Sequence, residues 1–217
     1  GGAVAGNGRT SKRARRKAAV RQLLEGGDPD GAARLVEGDR DPTSVLFSML
    51  YDGDESVRWC AIEALGRVAR VLFETRPERV REMLRRVLWA MNDESGGIIW
   101  VGPEVIAEVL VQVPALVAEY AYLLPAFLHE EPFERGAAWA SARVARLHPT
   151  ALSEKVAELA SVLRDGDPYI RTHAALALCA VEGSARVAPL LEDSTPLVVY
   201  EREKREMVET TVGEMVG

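Results

Sequence analysis

The sequence predicts an all-α protein in which helix pairs stack into an α-α superhelix, a solenoid of about four repeats. The same helix pattern occurs four times in the sequence. The copies start at Val57, Ile98, Phe133 and Ile170, at spacings of 41, 35 and 37 residues. The superimposed copies share a column of small residues, Ala61, Gly102, Ala137 and Ala174, and a column of valine, Val68, Val109, Val144 and Val181. Self-similarity at this period is typical of helical solenoids.

Local signals place the boundaries of the individual helices. Asp-Pro steps at Asp28, Asp41 and Asp167 put a capping carboxylate before a proline that suits the first helical turn. Glycines such as Gly166 stand where helices should end, and Pro125 predicts a kink or a split helix. The predicted helices span residues 11–25, 29–37, 43–51, 55–74, 77–91, 98–112, 114–128, 132–146, 150–164, 168–181 and 184–191.

The last residues of the chain change in character. The runs 197–200 and 207–212 are rich in β-branched residues and flank a charged stretch, which predicts a small β-hairpin followed by a helical turn. Such a hairpin could cover the open end of the last repeat. Helix throughout is the alternative, because residues 201–207 are good helix formers. We therefore expect a flexible leader at 1–10, the solenoid at 11–193 and a C-terminal appendage at 194–217.

Composition and charge limit the class of partner. The 217 residues are 47% hydrophobic but contain no apolar run near the roughly 20 residues that a bilayer span requires. We expect a cytoplasmic protein with reduced cysteines, because no apolar stretch follows the basic N-terminal residues as it would in a secretory signal. Residues 1–21 carry seven Lys and Arg and no acid, whereas the remaining chain has 20 basic and 33 acidic residues. The acidic body disfavours a nucleic-acid partner.

Two copies of the pattern carry a recognisable motif. Residues 54–66 read D-x-x-V-R-x-x-A-x-x-A-L-G, and residues 167–178 read D-x-x-I-R-x-x-A-x-x-A-L. Both resemble the HEAT repeat of the armadillo-like solenoids, specifically the short type of phycobilin-lyase-like HEAT proteins. The copies at 98–109 and 133–144 lack the arginine, and residues 92–110 are similar to a stretch of bacterial HEAT proteins. The resemblance implies two-helix units in which the Asp caps the second helix and the second helices line a concave side.

The side of the second helices opposite their apolar stripe carries the candidate binding residues. Wheel arithmetic at 100° per residue assigns tryptophan, glutamate and arginine to this side in successive copies. The candidates are Trp59, Glu63, Trp100, Glu104, Glu108, Trp139 and Arg143. On a concave side, with neighbouring helices about 10 Å apart, Trp59 would lie beside Trp100 and Glu63 beside Glu104. The alternative is that these tryptophans fill the gaps between neighbouring helices.

An exposed groove of aromatic rings and carboxylates suits a cationic ligand. An Arg or Lys of a partner would stack on a tryptophan and pair with a glutamate. The prediction is therefore a non-catalytic scaffold that binds a protein or peptide with basic groups, without metal or cofactor. Gly96-Gly97, before the second copy, is interpreted as part of a helix cap rather than as an anion site.

Enzymatic alternatives come from the resemblance. The set Trp100, Glu104, Trp139 and Arg143 is similar in spacing to that of HEAT-like alkylpurine DNA glycosylases, which act on damaged DNA. The acidic body, and a Glu where that family has Asp, argue against it. A phycobilin-lyase-like accessory factor is a further alternative, although the repeat match carries no catalytic residue. A di-iron hydroxylase is excluded, because the chain offers one His-Glu pair, at residues 129–130, and three histidines in total.

Overall fold

The structure is a computed structural model that describes residues 4–92 and 99–217. Within these ranges the ordered elements are helices and one two-stranded antiparallel sheet near the C-terminus, which confirms the predicted fold class. The chain divides into two compact units, Gly1–Val68 and Ala69–Gly217. The boundary falls inside helix α4 (Glu55–Thr75), so each unit holds part of that helix. The domain boundaries predicted at residues 10 and 193 stay predictions.

The first unit begins with α1 (Val4–Glu25), α2 (Pro29–Val36) and α3 (Ser44–Met49). Helix α1 packs against α2 and α3, and it begins seven residues before the predicted start. The predicted cap at Asp28 is confirmed, because its Oδ1 accepts a hydrogen bond from the backbone N–H of Gly31 at 2.8 Å. The local signal at Asp28 therefore sets the start of α2.

Basic side chains of the N-terminal stretch form ion pairs inside the first unit. Arg16 pairs with Asp39, and Arg21 pairs with Asp52 at 2.8 Å. The hydrogen bond from the Arg21 guanidinium lowers the pKa of Asp52, because it stabilises the carboxylate form. These contacts tie α1 to the loops that follow α2 and α3. Part of the positive charge of this stretch is therefore neutralised within the chain.

The second unit continues with helices that are joined in part by 3₁₀ turns. The α-helices are α5 (Pro77–Met91), α6 (Gly102–Gln112), α7 (Val117–Tyr120), α8 (Glu134–Leu147), α9 (Val156–Ser161), α10 (Pro168–Glu182) and α11 (Val212–Val216). The 3₁₀ turns are Pro114–Leu116, Ala121–His129, Pro149–Lys155 and Ala185–Glu192. Pro125 lies inside one of these turns, where it splits the helix as predicted, because proline lacks the N–H that a regular α-helix needs.

Helix α8 lies between α6 and α10 in the second unit. These three helices carry copies two to four of the pattern, so the predicted stacking of successive copies is confirmed within this unit. The small-residue column lies in the contacts: Ala137 and Ala174 are fully buried. A Cβ on Gly102 would lie 2.7 Å from Cγ of Met91, so a larger side chain at this position requires the Met91 side chain to move. Small residues at these positions therefore allow close packing of the helices.

The C-terminal hairpin is confirmed as predicted. Strand β1 (Pro196–Glu201) pairs antiparallel with β2 (Glu206–Thr211), with Val199 opposite Val208. Helix α11 follows at once, and Thr211 with Glu214 forms its capping box. The four-residue turn 202–205 connects the strands, and its last residue, Arg205, has a positive φ of 52°.

In the described part of the chain, no single helix is long and apolar enough to cross a membrane. The segments Gly102–Gln112 and Pro114–His129 meet the length and composition criteria only as a pair, and they are bent by 117° at their junction.

Candidate binding face of the second unit

Helix α8 packs against both α6 and α10 in the second unit, and we call the set of side chains that the three helices bring together the α6–α8–α10 face. Helix α6 contributes Glu104 and Glu108, α8 contributes Trp139 and Arg143, and α10 contributes Tyr169. The two glutamates are four residues apart and therefore lie on one side of α6. The face thus combines carboxylates, an arginine and aromatic rings, and the role of the candidate residues in binding stays a prediction.

The carboxylate of Glu108 is the charged centre of this face. Glu108 is fully buried, with 0% of its side chain exposed. Its Oε2 accepts a hydrogen bond from Nε of Arg143 at 3.3 Å and one from Nη1 of Arg202 at 3.1 Å. Nη2 of Arg202 donates to Oε1, so the Arg202 guanidinium grips both carboxylate oxygens. A buried carboxylate requires such partners, because an unpaired charge in the interior is strongly unfavourable.

Arg202 reaches α6 from the turn of the hairpin, 94 residues along the chain. The hairpin also contributes to an apolar cluster with α8 and α10. Tyr169, Leu197, Val199 and Val212 are buried together, and Trp139, Leu190, Val208, Met215 and Val216 pack against them. The hairpin therefore contacts residues from all three helices of the α6–α8–α10 face.

The base of the hairpin is anchored to α10. Arg171 donates from Nε to Asp193 at 2.9 Å, and the backbone N–H of Gly213 donates to the carbonyl of Asp193 at 2.8 Å. Hydrogen bonds from Arg171 and Thr195 lower the pKa of Asp193 to about 2. The hairpin is thus held at its base by Asp193 and at its turn by Arg202.

Glu104 lies one helical turn before Glu108 but has no such pair. It is buried, and its Oε1 has no hydrogen-bond partner among the residues that the structure describes. Its carboxyl group fills the space above Gly136 of α8, where any Cβ would overlap the Oε1 atom. Desolvation raises the pKa of Glu104 to about 8, against smaller opposite effects of its own backbone N–H and of Arg135. At neutral pH this side chain is therefore protonated.

A second polar cluster lies at the start of α8 and α10. The Arg135 guanidinium lies 4.3 Å from the centroid of the Tyr169 ring, and its Nε lies 3.1 Å from Oδ2 of Asp167. The ring of His173 lies 4.2 Å from that of Tyr169, and its Nδ1 is 2.8 Å from the Tyr169 carbonyl oxygen. Burial lowers the pKa of His173 to about 4. His173 is therefore neutral, and its Nδ1–H donates to that carbonyl.

The predicted solvent exposure of the candidate residues is wrong for most of them. Trp59, at 9% exposed, is buried, as are Glu63, Glu104 and Glu108. The reason is that residues on both sides of these helices are buried, so the side opposite the apolar stripe does not face solvent. For Trp59, this agrees with the alternative that the ring fills space between helices.

The remaining candidates behave differently from one another. Trp100 is 71% exposed, but it precedes α6, which begins at Gly102, so it does not occupy the helix column of Trp59. Trp139 is half-buried, and Arg143 is brought to Glu108. The expected pairings of Trp59 with Trp100 and of Glu63 with Glu104 stay predictions. Gly96-Gly97 lies outside the described residues.

Two important residues were missed by the sequence analysis. Arg202 stands among other charges in the run E-R-E-K-R-E, where nothing marks it as the partner of a buried carboxylate. Gly136 precedes the small-residue column by one position, and only the structure shows that its missing side chain makes room for Glu104.

The glycosylase-like set does not form one accessible cluster. Glu104 is buried and protonated, Arg143 is engaged by Glu108, and Trp100 is exposed on the segment before α6. The described residues also contain no group of three or more His, Cys, Asp or Glu side chains that could hold a metal ion. The enzymatic alternative stays a prediction.

Comparison with known proteins gives one family. The HEAT-repeat model matches residues 43–72, which contain α3 and most of α4. No curated protein and no solved structure matches the chain. The phycobilin-lyase-like type of the repeat and a bacterial origin stay predictions. The family match therefore shows a HEAT repeat at residues 43–72, and the helical architecture of the described residues agrees with it.

Proposed function

We propose that the chain is a non-catalytic scaffold that binds a protein or peptide through an arginine or lysine at the α6–α8–α10 face. HEAT repeats generally mediate protein–protein interactions, but a fold alone does not fix a function. The observation that carries the proposal is the contact between Glu108 and Arg202. In it, a buried carboxylate of the face already binds a guanidinium from the turn of the hairpin, 94 residues along the chain.

The chemistry around Glu108 favours arginine over lysine. Two nitrogens of Arg202 donate hydrogen bonds to the two carboxylate oxygens of Glu108. The planar guanidinium provides this two-point geometry, whereas an ammonium group does not. The half-buried Trp139 packs against the apolar cluster under the hairpin, beside Tyr169. Aromatic rings next to a carboxylate give an arginine both a stacking surface and a charge partner.

Charge and exposure outside the face support a basic partner. The formal net charge of the chain is −6, which accelerates association with cationic segments and slows it with nucleic acids. The exposed indole of Trp100 lies just before α6, and tryptophan is enriched among the residues that dominate binding energy at protein interfaces. Trp100 therefore provides an apolar contact outside the buried face.

A library of random twelve-residue peptides displayed on phage tests the proposal. We expect the selected peptides to be enriched in arginine and to bind the Glu108→Gln variant at least about tenfold more weakly, because the amide cannot form the charged pair. Glu154→Gln is the matched control, because Glu154 is exposed in the same unit. Circular dichroism verifies that each variant is folded. Selection of peptides without Arg or Lys, or equal binding by folded Glu108→Gln, would contradict the proposal.

A further inference from the structure

The hairpin occupies the face where the proposed partner would bind. Its side chains alternate along β1: Leu197 and Val199 are buried, whereas Val198 is exposed. Arg202 follows three residues after Val199 and binds Glu108. The buried part of the hairpin thus has the pattern apolar, one residue, apolar, two residues, arginine.

The base and the turn of the hairpin are attached to the second unit by separate contacts. The base is held by the Arg171–Asp193 ion pair and by backbone hydrogen bonds from Val212 and Gly213. Strand β2 contains no fully buried side chain: Met207 and Val208 are half-buried, and the other residues of the strand are half-buried or exposed. Release of the turn would therefore leave the contacts of the base with α10 intact.

We infer that the hairpin is an intramolecular ligand of the α6–α8–α10 face and that a partner replaces it. The partner presents an extended segment with the same pattern, two apolar residues at alternate positions followed three residues later by arginine. This inference rests on the proposed function and names the partner segment and the regulation of that site. Without the partner, the hairpin keeps the face closed.

The burial of Glu108 explains why the exchange requires an arginine. If Arg202 left without replacement, the fully buried Glu108 would keep its ion pair with Arg143 but lose the one with Arg202. Loss of one partner of a buried pair is strongly unfavourable. A guanidinium from the partner restores the pair, whereas an apolar segment alone does not. Arginine in the partner is therefore what makes release of the turn feasible.

A labelled synthetic peptide with the sequence of residues 196–211 tests this inference by fluorescence anisotropy. The Arg202→Ala chain should bind the peptide at least about tenfold more tightly than the wild-type chain does, because its own hairpin no longer competes for Glu108. This gain in affinity should disappear when the peptide carries alanine in place of that arginine. It should also disappear when the chain carries both Arg202→Ala and Glu108→Gln.

Lys204→Ala is the matched control, since Lys204 is exposed in the same turn. We expect it to behave as the wild-type chain. If Arg202→Ala lowers the helical circular dichroism signal, Arg202→Lys replaces it. That variant keeps the charge but loses the two-point contact, so its own hairpin competes less well and its affinity for the peptide should exceed that of the wild-type chain.

The outcomes separate this inference from the proposed function. If the folded wild-type and Arg202→Ala chains bind the arginine-bearing phage peptides equally well, the proposed function stands. The inferred role of the hairpin is then overturned. If no folded chain binds any arginine-bearing peptide, the proposed function itself is wrong. If the wild-type chain forms a concentration-dependent dimer and Arg202→Ala does not, the occupant of the face is the hairpin of a second copy. This result also overturns the inference.

Discussion

Replacement of Glu104 by glutamine should stabilise the protein, and increasingly so as the pH rises. The carboxyl group is fully buried, and its Oε1 has no hydrogen-bond partner among the described residues. In the unfolded chain it ionises near its ordinary pKa of 4.5, whereas in the folded protein it holds its proton up to about pH 8. Between these values the unfolded state binds fewer protons than the folded state, so the free energy of unfolding falls as the pH rises.

The magnitude follows from the two pKa values. A pKa raised from 4.5 to about 8 corresponds to a loss of about 5 kcal/mol across the whole interval, at about 1.4 kcal/mol per pH unit. Glutamine has the shape of the protonated glutamate but no titration. We therefore expect the stability difference between Glu104→Gln and the wild-type chain to grow by about 3 kcal/mol between pH 5 and pH 7.5.

Urea denaturation followed by circular dichroism at several pH values measures this difference. Glu154→Gln is the control, because it removes an exposed carboxylate of the same unit. It should change stability little, and by a similar amount at each pH. A Glu104→Gln effect that stays constant from pH 5 to pH 7.5 would refute the reasoning, because it would mean that Glu104 ionises alike in the folded and unfolded states.

Two further predictions concern the same unit. Between pH 6.5 and pH 4, buried His173 stays neutral while the same residue in the unfolded chain binds a proton, so the free energy of unfolding of the wild-type chain falls by about 3 kcal/mol. His173→Gln should remove this loss. Urea denaturation at both pH values checks the prediction. Gly213→Ala should destabilise by about 1–3 kcal/mol, because the new Cβ would lie 3.1 Å from the carbonyl carbon of Leu191 and closer to its oxygen. The melting temperature should fall by several degrees, whereas Gly166→Ala, whose Cβ would meet open space, should leave it nearly unchanged.

The helices and the hairpin could be predicted because their signals are local. Asp28 and Asp167 cap the helices that follow them, as their position before proline indicates. The β-branched runs at 197–200 and 207–212 form paired strands, although residues 201–207 favour helix by propensity. Here the apolar side of the strands, which packs on Tyr169, outweighs propensity.

The surroundings of the candidate residues could not be predicted in the same way. Periodicity shows which residues share one side of a helix, but it does not show whether that side meets solvent or another element. Every residue of α6 from Gly102 to Leu110 is buried, including Glu104 and Glu108. A helix that is buried on all sides has no solvent side to read from its sequence. Glu108 pairs with Arg202, which lies 94 residues later in the sequence, and no local pattern predicts a contact at that separation.

Glu104 and Glu108 show two solutions to the burial of a carboxylate on one side of α6. Glu104 is neutralised by a proton, which requires nothing from the rest of the chain beyond the space over Gly136. Glu108 is neutralised by guanidinium groups, of which Arg202 belongs to the C-terminal hairpin. Only the second solution links the charge of the face to the position of the hairpin. A ligand that exchanges with Arg202 therefore changes the conformation of the C-terminal region, whereas no ligand is needed to keep Glu104 buried.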